Sequence, residues 1–315
     1  MTERTAPDHA VSRPGPVAAA MLALPLLWLL LMFGLDLPES VRLLVGNWAT
    51  VLPAAWAAYF ALRLSRLGHL ELRQRRGWGL IALALACDAT GFFAFGWYEG
   101  VLGIDPTYNW VNLPFYGYFV LMFLGLLWLT PPSRTLGERP LYALDVVAVG
   151  LAGAMLLAEF VVHPILDDDS LPHGLLQILT LALYPLLGAI TLFGVASLMM
   201  RLPDGVERRP YQLLCAAVAL YLAADSAWSI LALLDDYDTG ALSDLGWLIG
   251  ACLFLAATEM AWQGKRHAGF VAGTYRAREF TRLMPYLAIA TGMGALLAGI
   301  IAEARDLVPL ALLGA

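Results

Sequence analysis

Two aspartates, Asp88 and Asp225, each stand alone within a long apolar segment of the chain. Their surroundings read LALACDATGFF and LYLAADSAWSI, and each segment begins after a basic pair and an aromatic residue. In a helix that rises 1.5 Å per residue, both carboxyl groups would lie roughly 15–21 Å from that basic end. This places Asp88 near the middle of a bilayer and Asp225 further out. A carboxylate at such depth costs about 2.5–3.5 kcal/mol unless it is protonated, hydrated or paired. Both side chains should therefore face the protein interior.

These buried aspartates allow two interpretations. They could form a polar ligand site or a proton-sensitive element, or they could join helices through hydrogen bonds, as polar side chains commonly do in membranes. No basic residue occurs at this depth, so we expect hydroxyl, indole and backbone carbonyl partners. Tyr116, Tyr184 and Trp228 complete the set of candidate site residues.

Prolines recur in the same segments as the candidate aromatic residues. Pro53, Pro114 and Pro185 fall within the second, fourth and sixth predicted crossings, and each frees a backbone carbonyl and can kink its helix. Kinks beside Tyr116 and Tyr184 would open a pocket in the outer half of the bundle. Ordinary packing irregularities would give the same pattern.

The composition is that of a membrane protein. Apolar residues make up 60% and charged residues 14% of the 315 residues, and the mean hydropathy is +0.70, against roughly 45–50% apolar and 25% charged residues in soluble domains. Apolar runs of about 20 residues, each long enough to span a bilayer, recur along the chain. Nine complete crossings are predicted, at 17–35, 43–62, 78–98, 110–129, 143–163, 175–200, 211–234, 242–262 and 283–301, with a partial tenth at 307–315. The fold class is therefore an all-α polytopic transmembrane bundle over 17–315, preceded by a tail at 1–16.

The basic residues fix the expected orientation. Seventeen of the nineteen lie in the tail or in loops after the even-numbered crossings, and only Arg42 and Arg305 lie on the other side, where the loops are acidic. By the positive-inside rule, the tail and the arginine-rich loops are cytoplasmic. We expect a multi-pass protein of a bacterial cytoplasmic membrane whose partners are the lipid bilayer and an unknown small ligand. Since the basic residues form no continuous stripe, no nucleic acid is expected.

Aromatic residues cluster at the predicted outer ends of the third and fourth crossings. They are Trp97, Tyr98, Tyr108 and Trp110. Such rings favour the membrane interface, so they form either an interfacial belt or the outer mouth of a ligand site.

A parallel internal repeat relates residues 75–129 to residues 208–262. The two units begin with RRGW and RRPY, and each carries one of the two aspartates. The second unit also contains a GxxxG motif at Gly246 and Gly250, which favours close helix contact, either inside the bundle or in a homodimer.

No catalytic motif is recognisable. The chain lacks a phosphate-binding glycine loop, an HExxH motif and a nucleophile elbow, so we expect no enzyme activity and no cofactor. The acidic runs LDDDS and LDDYD differ from the DDxxD type of intramembrane prenyltransferases. His163 and His173 flank the first run, and a divalent metal there is conceivable, but we favour a solvated loop and predict no metal site.

Several segments together resemble a known family. ACDATGFF, NLPFYGYFVLMFLGLLWL and ERPLYALDVV resemble the multi-spanning N-terminal sensor regions of bacterial diguanylate cyclases, often GGDEF–EAL proteins, over residues 78–315. The resemblance implies that Asp88, Pro114 and Tyr116, the Asp145 helix, the Tyr184–Pro185 pair and Asp225 follow the family pattern. The cyclase motif is absent, and LVPLALLGA at the end falls within the expected last crossing, which suggests that the output domain lies beyond this chain.

The sequence is therefore compatible with two alternative functions. The leading hypothesis is a sensory or signal-input module that regulates a cytoplasmic cyclic-di-GMP output domain. The alternative is a secondary transporter or small-molecule permease, since parallel repeats and prolines within crossing helices suit alternating access.

Overall fold

The computed structural model describes residues 14–107, 109–130, 144, 175–202, 206–233 and 237–267. The regular elements of this part are all helices: α1 (Pro16–Met21), α2 (Leu24–Gly34), α3 (Glu39–Ser65), α4 (Leu72–Gly100), α5 (Leu113–Leu129), α6 (Leu175–Arg201), α7 (Arg209–Leu233) and α8 (Asp244–His267). A single 3-10 turn, Trp110–Asn112, leads directly into α5. The predicted all-α class is confirmed for these residues.

Six helical segments of the described part are long and apolar enough to cross a membrane. They are Pro16–Gly34, Glu39–Ser65, Leu72–Gly100, Trp110–Leu129, Arg209–Ala232 and Asp244–Gly264. Helix α6 carries a shorter apolar stretch, Leu183–Met199. These lengths and compositions indicate a polytopic membrane protein. The predicted crossings at 143–163 and 283–301, and the partial one at 307–315, lie outside the described residues apart from position 144.

The first predicted crossing, 17–35, consists of two helices. Pro25 lies in the first turn of α2, where it has no amide hydrogen and its ring would clash with the carbonyl four residues earlier. That carbonyl belongs to Met21, the last residue of α1, and it accepts a hydrogen bond from the Cys252 thiol at 3.5 Å. The break therefore follows from the proline, and α8 provides a weak partner for the freed oxygen.

The prolines of the other crossings differ in position. Pro53 and Pro185 lie inside α3 and α6, where each removes a backbone hydrogen bond, and kinks there stay predictions. Pro114 lies in the first turn of α5. It begins this helix instead of interrupting it, because the first turn has no hydrogen-bonding use for the amide that proline lacks. The predicted kink inside the fourth crossing is thus replaced by a helix start.

Six helices form a closed ring. Helix α3 packs on α4, α4 on α5, α5 on α6, α6 on α7, α7 on α8, and α8 returns to α3. The first two helices lie outside the ring, α1 against α8 and α2 against α3 and α8. Because each ring helix contacts two neighbours, their remaining inward faces meet around a common centre.

The arginine-rich end of the ring is held by hydrogen bonds to helix ends. Arg73, in the first turn of α4, donates to the carbonyl oxygens of Leu127, Trp128 and Thr130 at 2.9–3.0 Å. These oxygens belong to the end of α5, where the carbonyls of a helix lack partners. Cations are favourable there because the C-terminal end of a helix is electronegative.

A glutamate that the sequence analysis did not single out attaches α1 to the ring. Glu259 of α8 is only 2% exposed, and its carboxyl oxygens accept from the amides of Ala18 at 2.7 Å and Val17 at 3.4 Å. These amides lie in the first turn of α1, where a carboxylate stabilises the helix.

Candidate functional site

A cavity of about 40 Å³ lies at the centre of the helix ring. All six ring helices contribute to it, together with Tyr237 from the segment between α7 and α8. Asp88 and Asp225 supply its carboxyl groups and Asn47 an amide. The remaining lining is aromatic and comprises Phe92, Phe95, Phe115, Phe119, Tyr118, Tyr184, Tyr221, Tyr237, Trp228 and Trp247. A cavity of this size that carries several polar groups has room for more than one water molecule.

Asp88 of α4 is fully buried, with 0% of its surface exposed. Its Oδ2 accepts a hydrogen bond from the Tyr221 hydroxyl at 2.8 Å. Its Oδ1 has no hydrogen-bond partner among the described residues. One of the two carboxyl oxygens is therefore available to whatever enters the cavity.

Asp225 of α7 repeats this arrangement. It is 3% exposed, its Oδ1 accepts from the Trp247 indole at 2.8 Å, and its Oδ2 makes no hydrogen bond to the part of the chain that the structure describes. A hydroxyl and an indole are two of the partner types that the sequence predicts for these aspartates. Asp88 and Asp225 line the same cavity although their predicted depths differ.

Among the described residues, no lysine, arginine or histidine lines the cavity. Burying a carboxylate is unfavourable unless an opposite charge or several hydrogen bonds compensate for lost water. Each aspartate receives only one hydrogen bond from the described residues. A proton or a positively charged group would each compensate for this lack of partners.

Aromatic contacts set the shape of the cavity wall. Trp228 meets Tyr184 edge-on with 5.0 Å between ring centroids, and Tyr118 packs beside Tyr221 at 5.5 Å. Phe92 contacts the indole of Trp247 at 5.8 Å. The rings that flank the aspartates thus come from α4, α5, α6, α7 and α8, and each is braced by a ring of another helix.

Tyr184 connects the cavity to the loop before α5. Its hydroxyl donates to Oδ1 of Asn112 at 2.5 Å, and the Asn112 amide donates to the carbonyls of Pro106, Thr107 and Asn109 at 2.9–3.2 Å. Asn112 is buried, and its two N–H groups lie within hydrogen-bond distance of three loop carbonyls. The position of Tyr184 is therefore coupled to the conformation of this loop.

Tyr116 does not line the cavity, although the sequence analysis placed it among the candidate residues. Its ring packs against Tyr184 at 5.2 Å, and its hydroxyl donates to the Thr180 carbonyl at 3.4 Å. The neighbouring positions Phe115, Tyr118 and Phe119 face the cavity instead. The helical register of α5, which the residue types alone do not fix, decides which of these rings points inward.

The GxxxG motif of α8 packs inside the bundle. A methyl group added to Gly250 would lie 2.6 Å from the Tyr221 ring, and one added to Gly246 would lie 2.9 Å from Cβ of Ala224. Both glycines therefore face α7. Gly250 lies beside Tyr221, which donates to Asp88, and Gly246 lies beside Ala224, which precedes Asp225 in the chain. Of the two roles that the sequence left open for this motif, the structure supports internal packing.

A second group of polar residues, some buried and some half-buried, adjoins the cavity, and we call it the Glu99 cluster. Glu99 at the end of α4 accepts from the Thr239 hydroxyl at 2.7 and 2.8 Å and from the Asn47 amide at 2.9 Å. Asp244 accepts from the Gly240 amide at 2.7 Å and from the Tyr237 hydroxyl at 3.1 Å. Since Asn47 and Tyr237 also line the cavity, these bonds fasten the segment between α7 and α8 over one end of it.

Tyr237 remains a hydrogen-bond donor in this position. Burial, reinforced by the charge of Asp244, raises the pKa of its phenol well above the usual range. The hydroxyl therefore stays protonated at physiological pH and keeps its bond to Asp244.

The aromatic residues predicted at an outer mouth are not part of the cavity wall. Trp97 and Trp110 are 43% and 60% exposed, and Tyr98 packs edge-on against Trp110 at 5.6 Å. Tyr108 lies outside the described residues. The large exposed surfaces of the two indoles are typical of an interfacial belt.

The sequence identifies four of the cavity residues and misses others. Asp88, Asp225, Tyr184 and Trp228 line the cavity as expected for a common site. Tyr221, Trp247 and Tyr118 were not singled out. Tyr221 donates to Asp88 and Trp247 donates to Asp225, and the Tyr118 hydroxyl has no hydrogen-bond partner among the described residues. Tyr221 lies four residues before Asp225, on the same helix face, and this spacing is the signal that would have found it.

Comparisons with known proteins identify no relative. No family model, no curated protein and no solved structure matches the chain.

Proposed function

We propose that this chain is a membrane-embedded signal-input module that binds a small ligand in the central cavity and regulates a cytoplasmic cyclic-di-GMP output domain. The observation that carries the proposal is the pair of buried, incompletely bonded aspartates inside an aromatic cavity. The resemblance to the sensor regions of diguanylate cyclases supplies the output reaction.

The geometry of the ring suggests how ligand binding would be transmitted. The cavity is lined from all six ring helices, so an occupant that bonds Asp88 and Asp225 would pull α4 and α7 towards a common point. The bond between Asp88 and Tyr221 already joins these two helices. A change at the cavity would therefore alter helix packing as a whole and reach the arginine-rich end of the bundle.

The order of the ring supports the proposed parallel repeat. Helices α3, α4 and α5 form one half of the ring, and α6, α7 and α8 form the other. Helices α4 and α7 are therefore opposite each other, and the aspartates that they carry line one cavity. Each half begins with a helix that contains an internal proline. We further propose that the arginine-rich end, formed by the end of α3, the start of α4 and the end of α5, is cytoplasmic, as the positive-inside rule requires.

The test is a measurement of cellular cyclic-di-GMP. The gene that encodes this chain is expressed in a bacterial host as the wild type and as Asp88→Asn and Asp225→Asn. We expect both substitutions to shift the cyclic-di-GMP level at equal membrane abundance. Asp36→Asn, in the exposed loop before α3, is the matched control and should leave it unchanged. An unchanged cyclic-di-GMP level in both aspartate variants, at the same membrane abundance as the wild type, would contradict the proposal.

A secondary transporter is the second candidate, and one observation favours it. The cavity is shared by two halves of the ring, as the binding sites of repeat-built transporters are. Uptake of a labelled solute by proteoliposomes that is abolished in Asp88→Asn or Asp225→Asn would support transport. If the proteoliposomes show no flux while the aspartate variants change the cyclic-di-GMP level, the result supports the signal-input module instead.

A further inference from the structure

We propose that the central cavity is a binding site for a small organic ammonium ion. This inference rests on the proposed function and names the class of ligand that the cavity recognises. It follows from three features of the described residues: the unpartnered carboxyl oxygens, the absence of a basic side chain from the wall, and the aromatic faces that surround both.

The unpartnered polar atoms of the cavity are oxygens that can accept hydrogen bonds, so a complementary ligand must carry hydrogen-bond donors. Oδ1 of Asp88 and Oδ2 of Asp225 are buried acceptors without a bond to any described residue, and the Tyr118 hydroxyl is in the same position. An ammonium group carries up to three N–H donors and no acceptor. It would donate to the free carboxyl oxygens of the cavity and supply the positive charge that no described side chain of the wall provides.

The aromatic wall selects an organic cation over a metal ion. Calcium takes six to eight oxygen ligands and magnesium six, whereas the wall offers two free carboxyl oxygens and one free hydroxyl. Within the described residues no group of three or more His, Cys, Asp or Glu side chains could hold a metal. Aromatic faces attract ammonium ions within about 6 Å of a ring centroid, and desolvated sites strengthen this attraction.

The size of the site limits the ligand. A cavity of about 40 Å³, lined by phenylalanine rings such as Phe92, Phe115 and Phe119, suits a compact ion with a short apolar part. A large polyamine or a peptide would not fit without opening the ring.

The experiment measures binding to the full chain, purified and reconstituted in lipid nanodiscs, by isothermal titration calorimetry. The probes are n-propylammonium chloride, the neutral isostere 1-propanol, the anion propionate, tetramethylammonium chloride and sodium chloride. We expect n-propylammonium to bind most tightly, because it alone among the organic probes combines a positive charge with N–H donors. Tetramethylammonium should bind more weakly, and 1-propanol, propionate and sodium should not compete with n-propylammonium.

Two variants test whether the aspartates carry the recognition. Asp88→Asn and Asp225→Asn conserve shape and remove the charge, so each should weaken n-propylammonium binding about tenfold or more, as expected for the loss of one charged hydrogen bond. Asp36→Asn, in the exposed loop before α3, is the control and should bind as the wild type does. Thermal unfolding of each variant checks that the bundle is intact, and an aspartate variant that unfolds is replaced by Tyr118→Phe, which should also weaken binding.

The outcomes separate this inference from the proposed function. If 1-propanol binds as tightly as n-propylammonium, or if no ammonium probe binds, the ligand class is wrong, while a change of cyclic-di-GMP in the aspartate variants would still support a signal-input module. If n-propylammonium binds with the expected dependence on Asp88 and Asp225 but neither variant changes cyclic-di-GMP, the ligand class stands and the signalling function fails.

Discussion

The Tyr221 hydroxyl donates a 2.8 Å hydrogen bond to Asp88, although 133 positions separate the two residues along the chain. Asp88 lies on α4 and Tyr221 on α7, two helices that are not neighbours in the ring. The bond therefore crosses the centre of the bundle, beside the cavity. Because it joins the two helices that carry Asp88 and Asp225, the geometry of the site depends on how both helices pack.

Removing this bond should destabilise the protein. Tyr221→Phe leaves Oδ2 of a fully buried aspartate without its hydrogen bond, which we expect to lower the free energy of unfolding by about 1–3 kcal/mol. Thermal unfolding in detergent micelles measures the change. Tyr59→Phe is the matched control, since its hydroxyl contacts Arg63 on an exposed surface. Equal losses in both variants would mean that the Asp88 bond contributes nothing specific.

A methyl group at Gly250 should disturb the same contact from the other side. In Gly250→Ala the new Cβ would lie 2.6 Å from the Tyr221 ring, so α7 and α8 must separate or the ring must turn away from Asp88. We expect a loss of about 1–3 kcal/mol, the usual range for overpacking a core.

The control for this substitution is Gly79→Ala, whose nearest neighbour would be Cβ of Ser65 at 3.8 Å. It should be neutral or stabilising, because alanine is the better helix former. Unfolding of both variants is compared under the same conditions. If Gly250→Ala behaves like Gly79→Ala, the close packing of α8 on α7 is incorrect.

Arg73 should contribute to stability beyond what surface arginines usually do. Its guanidinium bonds three carbonyls at the end of α5, and hydrogen bonds to charged groups contribute about 1.5–3 kcal/mol. Arg73→Ala is expected to lose an amount of that order in thermal unfolding, and Arg73→Lys only part of it, since lysine lacks the planar fork. The exposed Arg66→Ala should change stability by less than about 0.5 kcal/mol. Identical behaviour of the two alanine variants would refute the capping role.

Glu259 should control the opening of the first helix. In Glu259→Ala the amides of Val17 and Ala18 lose their acceptor, so hydrogen exchange in Pro16–Met21 should accelerate while the ring helices keep their protection. Glu259→Gln retains one acceptor oxygen and should give an intermediate rate. Exchange measured by mass spectrometry distinguishes the three proteins, with exposed Glu39→Ala as the control. An unchanged rate in Glu259→Ala would show that α1 is held by its apolar contacts alone.

The Glu99 cluster makes a further prediction about the cavity end. Thr239→Val keeps the shape of the side chain but removes the only hydroxyl that bonds both oxygens of Glu99 among the described residues, and we expect a loss of about 1–3 kcal/mol in thermal unfolding. Thr90→Val, on an exposed face of α4, provides the comparison and should be nearly neutral. A neutral Thr239→Val would mean that water replaces the hydroxyl.

Several features of this protein follow from the sequence because they depend on local composition. Apolar runs of membrane-spanning length predict helices, and the described part of the chain is all-helical. Lone aspartates in such runs must be buried, as Asp88 and Asp225 are, because lipid does not solvate a carboxyl group. The absence of nearby basic residues also indicates which partner types they would find. Where local rules compete, as at Pro25 and Pro114, residue type alone does not say whether a proline splits, kinks or begins a helix.

Other features depend on which helices become neighbours. Helix packing brings Tyr221 to Asp88 and Trp247 to Asp225. The rotation of α5 turns Tyr116 away from the cavity while Tyr118 faces it, and the contact of α1 with α8 places Glu259 at the first turn of α1. These contacts join residues up to 242 positions apart, and nothing in a single apolar helix specifies its partner or its rotation, because lipid and neighbouring helices are almost equally apolar surroundings. The sequence by itself thus determined that two carboxyl groups are buried in a helical membrane protein. Only the tertiary structure decided that they share one aromatic cavity, since this depends on the packing of six helices around a common centre.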